Sequence, residues 1–155
     1  MQGAATLLQH PIHPMLVVFP LAFLIGSSGG DLLFVLTRRP FWERSAFALI
    51  GFGLIGGLAA AVPGLVDYFT APMGADAKDV ATDHMIANGT AWGLFLVSFV
   101  IRWRRPRLWF KYVLSLGGVC VLLYAGYLGG HLVYMHHVGV TSTIHEHHEH
   151  HEHGD

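Results

Sequence analysis

Four long apolar stretches, separated by short polar segments, dominate the pattern of hydrophobic and polar positions along the chain. They cover residues 15–36, 46–66, 85–101 and 112–134, to within a few positions. A transmembrane helix needs about 20 predominantly apolar residues, because each residue advances the helix by about 1.5 Å across a hydrocarbon layer about 30 Å thick. The pattern therefore predicts an all-α integral membrane protein with four transmembrane helices.

The connecting segments predict how the helices are arranged. Short loops make consecutive helices antiparallel neighbours, which predicts an up-down-up-down bundle. The first and third connections carry eight of the nine Lys and Arg residues: Arg38, Arg39, Arg44, Arg102, Arg104, Arg105, Arg107 and Lys111. By the positive-inside rule, both Arg-rich loops lie in the cytoplasm and both termini lie outside.

The composition narrows the class of protein. Of the 155 residues, 53% are hydrophobic and only 12% are charged, about half the charged share of a soluble domain. These values exclude an ordinary soluble enzyme, a disordered chain and a nucleic-acid binder. The single cysteine, Cys120, excludes an internal disulfide and a multi-cysteine metal site. The sequence alone shows no internal repeat strong enough to indicate a duplicated architecture.

Residues 142–155 form a tail that differs from the four-helix domain of residues 1–141. Six of the twelve histidines lie there, interleaved with Glu: His145, His147, His148, His150, His151 and His153. The tail is too polar to pack, which predicts disorder without a ligand. Imidazole and carboxylate groups suit Zn²⁺, Cu²⁺ or Ni²⁺, so the tail is a candidate metal collector. An appended affinity tag is the alternative.

The other six histidines lie at the ends of the apolar stretches, on the side opposite the Arg-rich loops. They are His10, His13, His84, His131, His136 and His137. Helical rise places His84 about 27 Å from Arg102, at the outer edge of the apolar layer. Ionisable residues at that depth are functional candidates, although a solvated interfacial histidine is the simpler alternative. Asp67 directly follows the second stretch, at the same membrane depth as these histidines.

Local sequence adds detail to these candidates. In HPIHPM, each proline favours extended backbone for the histidine before it, which predicts His10 and His13 fixed at a helix mouth. Asn88 lies on the helical face of His84, four positions later, and is a candidate hydrogen-bond partner. Thr82 or Asp83 is the predicted N-cap of the third helix.

Polar and small residues inside the stretches allow two interpretations. The many glycines of the second and fourth stretches favour close helix packing, with space for a flat macrocycle as the alternative. Asp31, inside the first stretch, is predicted to pair with a loop arginine.

Four strings, HPIHPMLVVFPLAF, PGLVDY, HMIANG and GGHLVYMHHVGV, resemble the bacterial membrane family called domain of unknown function 2231, over about residues 8–141. The family motifs fall on His10, His13, Asp67, His84, Asn88 and His136. His131 and His137 depart from the family pattern. The resemblance implies a bacterial inner-membrane protein that works with Rieske or cytochrome c modules, and hence redox chemistry.

The leading functional hypothesis is a b-type haem protein that transfers electrons at the periplasmic face. A haem with two histidine ligands needs imidazoles on opposite sides of one plane, and the first and third helices of the bundle are diagonally opposed. His13 and His84 are therefore the predicted axial ligands, with His136 as the replacement for either. His10 and His136 could form a second pair. Asn88 or Asp67 would tune the site. The expected partners are the lipid bilayer, a quinol or a periplasmic redox protein.

The same residues are compatible with two other functions. His10, His13, Asp67, His84 and His136 could hold Zn²⁺ or Cu²⁺ for sensing or storage. The chain could also be a structural membrane subunit without a site. An electron carrier or subunit of a redox complex fits the pattern better than an independent enzyme, and a homo-oligomer is compatible with it.

Overall fold

A computed structural model describes residues 4–7 and 10–138, without the side chains of Leu7, His10 and Pro11. Its helices are α1 (Ile12–Thr37), α2 (Pro40–Thr70), α3 (Ala75–Arg104) and α4 (Phe110–Tyr134). A short antiparallel pair, β1 (Thr6–Leu7) and β2 (His10–Pro11), precedes α1. All four helices are long and apolar enough to cross a membrane, so the predicted all-α membrane fold is confirmed.

The third helix begins ten residues earlier than the apolar stretch that predicts it. Most of the expected loop between Asp67 and Asp83 is helical, and only residues 71–74 connect α2 to α3. Ala77 and Ala81 are buried in these additional turns, so packing stabilises a segment whose hydropathy is too low to predict a membrane-spanning helix. The predicted N-cap at Thr82 or Asp83 is wrong, because Gly74 occupies that position.

The bundle consists of two antiparallel hairpins, α1 with α2 and α3 with α4. In the first, a Cβ at Gly53 would lie 2.5 Å from Cδ2 of Leu24; in the second, a Cβ at Gly118 would lie 2.7 Å from Cε2 of Phe95. The helices pack more closely within each hairpin than between them. These glycines therefore allow close packing, as composition favours, and do not hold space open for a macrocycle.

The surface between the two hairpins, here called the seam, is mainly apolar. The rings of Phe47 and Phe99 stack across it with centroids 4.6 Å apart. The indole N–H of Trp92 donates to the Leu54 carbonyl at 3.0 Å. A single buried cluster includes side chains from all four helices: Leu24, Ile50, Leu54, Ala91, Phe95 and Leu122.

The end of the bundle that carries the Arg-rich loops, here called the Arg end, contains a buried ionic network. Arg102 donates from Nη1 and Nη2 to the two carboxylate oxygens of Asp31, at 2.8 and 2.5 Å. Their side chains are only 3% and 7% exposed. The prediction that Asp31 pairs with an arginine is confirmed, although Arg102 lies in the last turn of α3 and not in a loop. Lys111 forms a second ion pair with Glu43, at 2.5 Å.

Candidate cofactor site at the histidine end

His13 is held at the start of α1 by the neighbouring helix α2. Its Nδ1 donates to the carbonyl oxygen of Ala60 at 2.8 Å. The ring lies directly on Gly64, where a Cβ would come within 2.7 Å of Nδ1. A histidine whose Nδ1–H is bound to a backbone carbonyl presents Nε2 as its free acceptor, the usual arrangement of a ligating imidazole.

The backbone of His13 is helical, so the expected extended geometry at this residue is wrong; His10, in β2, is extended. The restriction before a proline is a preference, and Pro14 needs no hydrogen bond in a first helical turn. The contacts of the His13 ring with Ala60 and Gly64 stabilise the helical alternative.

His84 repeats the arrangement of His13 in the second hairpin. Its Nδ1 donates to the carbonyl oxygen of Ala125 at 2.8 Å. Its Cε1 would lie 2.9 Å from a Cβ at Gly129. The predicted contact with Asn88 is present: the Asn88 Nδ2 donates to Nε2 of His84 at 3.1 Å and to its carbonyl oxygen at 2.9 Å.

The two histidines lie level with one another on opposite hairpins. Asp31 and Arg102, which touch at the Arg end, are separated by 71 positions, and so are His13 and His84. Because α1 and α3 run in the same direction with equal rise per residue, the equal separation places both imidazoles at one height.

The remaining candidates at this end of the bundle make other contacts. Asp67 accepts from the backbone N–H of Ala5 at 3.1 Å, which ties the N-terminal segment to α2. His136 packs on His131, with ring centroids 5.3 Å apart. No three His, Cys, Asp or Glu side chains within the described residues come together as a metal site. The His10 side chain and the tail histidines lie outside the described residues.

Sequence reasoning missed the backbone groups that hold the two rings. Each imidazole uses one carbonyl and one glycine four positions further along the partner helix: Ala60 with Gly64, and Ala125 with Gly129. The pattern Ala-x-x-x-Gly is present in both helices and marks a close helix approach. It could have identified the helix faces that meet the histidines.

A pocket lies at the opposite end, beside the ionic network. Its lining includes Glu43, Arg44, Arg102, Trp103 and Lys111. Arg102 and Lys111 are already neutralised by Asp31 and Glu43. The pocket lies at the opposite end of the bundle from His13 and His84. Because Arg102 and Lys111 are already paired, these two cations are not available to bind an anion there.

Comparison with known proteins gives one result. A family model described as a predicted membrane protein (DUF2231) matches residues 9–142. No curated protein and no solved structure matches the chain. The family match covers both hairpins and leaves out only the first eight residues and the histidine-rich tail. The chain therefore belongs to the DUF2231 family of predicted membrane proteins.

Proposed function

We propose that this protein is a membrane-embedded b-type haem protein that transfers electrons, and that His13 and His84 are the residues that would hold the haem iron. The observation that carries the proposal is the matched setting of the two imidazoles. Each Nδ1 is bound to a helix carbonyl at 2.8 Å, each ring is level with the other, and they belong to opposite hairpins. That setting fixes the tautomer in which Nε2 is the ligand atom.

The number of donor groups favours haem over a bare metal ion. A structural Zn²⁺ takes four protein ligands and a catalytic one takes three. Haem iron takes its other four ligands from the macrocycle, so two histidines suffice. The described residues offer this pair of imidazoles and no group of three or more metal-binding side chains. The alternative is Zn²⁺ or Cu²⁺ bound by the bundle, and a visible spectrum distinguishes it from haem.

The residues around the pair have identifiable tasks. Haem supplies a one-electron redox couple when it is bound. Ala60 and Ala125 hold the ring orientations through their carbonyl oxygens. The amide of Asn88 must give up its bond to Nε2 of His84 for that atom to act as a ligand, and it retains its bond to the His84 carbonyl.

Charge supports a particular orientation in a bacterial inner membrane. Eight of the nine Lys and Arg residues lie near the Arg end, and Lys78 is the exception. We infer that the Arg end faces the cytoplasm and that the termini and His13 with His84 face the periplasm. A quinol or a periplasmic Rieske or cytochrome c module would then be the electron partner. Alkaline phosphatase fused after residue 72 is expected to be active, and after residue 106 inactive. The reverse result contradicts this orientation.

A visible spectrum of the purified protein, expressed with haem supply, tests the cofactor. We expect a Soret band, and an α-band of b type on dithionite reduction. His13→Ala and His84→Ala should each abolish this six-coordinate spectrum. His131→Ala is the matched control, because His131 lies at the same end and contacts His136 instead. A colourless protein with stoichiometric zinc or copper contradicts the haem proposal, and an unchanged spectrum in both alanine variants contradicts the ligand assignment.

A further inference from the structure

The two hairpins share corresponding positions that the sequence alone does not reveal. A shift of 71 positions relates α1 to α3, and a shift of 65 relates α2 to α4. Three contacts coincide under these shifts. They are His13 with Ala60, His13 with Gly64 and Leu24 with Gly53 in the first hairpin, and His84 with Ala125, His84 with Gly129 and Phe95 with Gly118 in the second.

The same shift relates two pairs of buried polar residues. Ser27 corresponds to Ser98, and both are fully buried at 0% exposure. Asp31 corresponds to Arg102, and these two residues touch each other. A contact between equivalent positions of two related units lies on the twofold axis that relates them. The ion pair therefore marks an approximate twofold axis that passes along the seam between α1 and α3.

The charges at the seam divide by hairpin. The first hairpin contributes the two acids, Asp31 and Glu43, and the second contributes the two bases, Arg102 and Lys111. Two copies of the first hairpin would place Asp31 against Asp31, and two copies of the second would place Arg102 against Arg102. Like charges that meet away from water are strongly unfavourable, so this arrangement disfavours both homotypic pairings.

We propose that the chain is a duplicated helical hairpin in which one position of the repeat carries opposite charges, Asp31 and Arg102, so that the first hairpin pairs with the second hairpin and not with a copy of itself. The pair also sets the register of α1 against α3, which is what brings His13 and His84 level. This inference rests on the contacts of the hairpins and not on the identity of a cofactor.

The surroundings of the pair explain which hairpin carries the arginine. Arg102 donates from Nε to the Ser98 hydroxyl at 3.3 Å and from Nη2 to the Ser115 hydroxyl at 3.0 Å. The position in α2 that corresponds to Ser115 is Ile50, which offers no acceptor. The first hairpin therefore satisfies a guanidinium less well, and exchanging the two charges should restore most of the pairing but not all.

Distances between spin labels test the proposal in the full-length chain, in lipid nanodiscs. Phe19→Cys and Thr90→Cys place labels at corresponding, exposed positions of α1 and α3, in a background where exposed Cys120 is replaced by Ala. The charge variants are Asp31→Arg, Arg102→Asp and the exchange of both. We expect a narrow distance distribution in the parent, a broad or shifted one in each single variant, and a narrow one again in the exchange variant. The exchange variant should also recover most of a loss in unfolding midpoint on the order of 10 °C.

Two results would overturn the proposal. One is a narrow, parent-like distribution in either single variant. The other is an exchange variant as disordered as the single variants, or one that cannot be purified. If the single variants yield no protein, Asp31→Asn with Arg102→Gln replaces them, and an equally narrow distribution in that neutral pair also overturns the proposal. The haem spectrum is measured independently of the spin-label distances. A colourless protein whose exchange variant regains the narrow distance distribution therefore contradicts the proposed function and leaves the duplicated hairpin supported.

Discussion

The two ends of the bundle handle buried polar groups in opposite ways. At the Arg end, Asp31, Arg102, Ser98 and Ser115 satisfy one another, and their side chains are closed off from solvent. At the histidine end, His13 and His84 are half-buried and anchored through Nδ1 only to backbone carbonyls. The first arrangement satisfies its polar groups internally, whereas the second fixes two rings whose Nε2 atoms could accept a ligand once Asn88 gives up its bond to His84. The Arg end stabilises the fold, and the histidine end is where we propose the functional site.

The largest expected effect comes from breaking the ion pair at the Arg end. Arg102→Met leaves the Asp31 carboxylate buried without its partner, which should lower the free energy of unfolding by about 3–5 kcal/mol. Arg104→Met is the control, because Arg104 is exposed two positions later; its effect should stay within about 0.5 kcal/mol. Denaturation of both variants in mixed micelles measures the difference. Equal stabilities would refute a structural role for the network.

The next effect concerns the glycines beneath the imidazoles. In Gly129→Ala, the new Cβ would lie 2.9 Å from Cε1 of His84, so the ring must move away from the Ala125 carbonyl. We expect a loss of about 1–3 kcal/mol in the free energy of unfolding, together with loss of the b-type spectrum. Gly126→Ala is the control, since no atom lies within 4 Å of its added Cβ. If Gly129→Ala retains the full spectrum, the position of the His84 ring is not critical for the cofactor.

A smaller effect is expected at Asn88, the one clear asymmetry between the two histidines. Val17 occupies the position in α1 that corresponds to Asn88, so Asn88→Val makes the two sites alike. Removing the hydrogen bond to Nε2 should cost the cofactor-free protein about 0.5–1.5 kcal/mol, while haem incorporation at limiting haem should rise. The control, Thr90→Val, removes a hydroxyl bonded only to its own helix. A fall in incorporation specific to Asn88→Val would mean that Asn88 orients the bound ligand instead of competing with it.

The smallest effect belongs to Lys78, the only Lys or Arg of the histidine end. Its ammonium group lies 3.5 Å from the centroid of the Tyr68 ring and donates to the Tyr68 carbonyl. Lys78→Gln should cost no more than about 1 kcal/mol in the free energy of unfolding, because the group is only partly buried. Differential scanning calorimetry of the cofactor-free protein measures it. A loss as large as that of Arg102→Met would show that the two ends are held by comparable ionic contacts.

Sequence patterns were sufficient for the helices and insufficient for the correspondence between the two hairpins. Apolar length identifies four spans, and the lone Asp31 in an apolar span demands a cation, which is why both predictions are confirmed. The N-terminal turns of α3 could not be predicted, because the burial of Ala77 and Ala81 depends on neighbouring helices. The correspondence between the hairpins could not be seen in the sequence, because equivalent positions carry different residues, such as Leu24 and Phe95 or Asp31 and Arg102. It becomes visible only in the contacts that these residues make.

The candidate site was predictable only in part. His13 and His84 were selected by their depth and diagonal placement. The structure shows each ring bound to a carbonyl of the neighbouring helix in its own hairpin, and helical rise puts the two rings at one height. Asp67 was a candidate at the same level, and its carboxylate accepts a hydrogen bond from the backbone N–H of Ala5. The carbonyl groups of Ala60 and Ala125 could not be found from residue types, because every residue has one and only the fold selects which is used.

The location of the ion pairs has a mechanical consequence. Both of them join the hairpins at one end, and the rest of the seam is mainly apolar. At the histidine end, residues 71–74 and the hydrogen bonds of Tyr68 with Lys78 and Thr82 join α2 to α3 instead. We therefore expect any separation of the hairpins beside His13 and His84 to occur on the side of α1 and α4. That opening would face the acyl chains, so the lateral pressure of the bilayer, more than the ionic strength of the water, would control the access of a flat hydrophobic ligand.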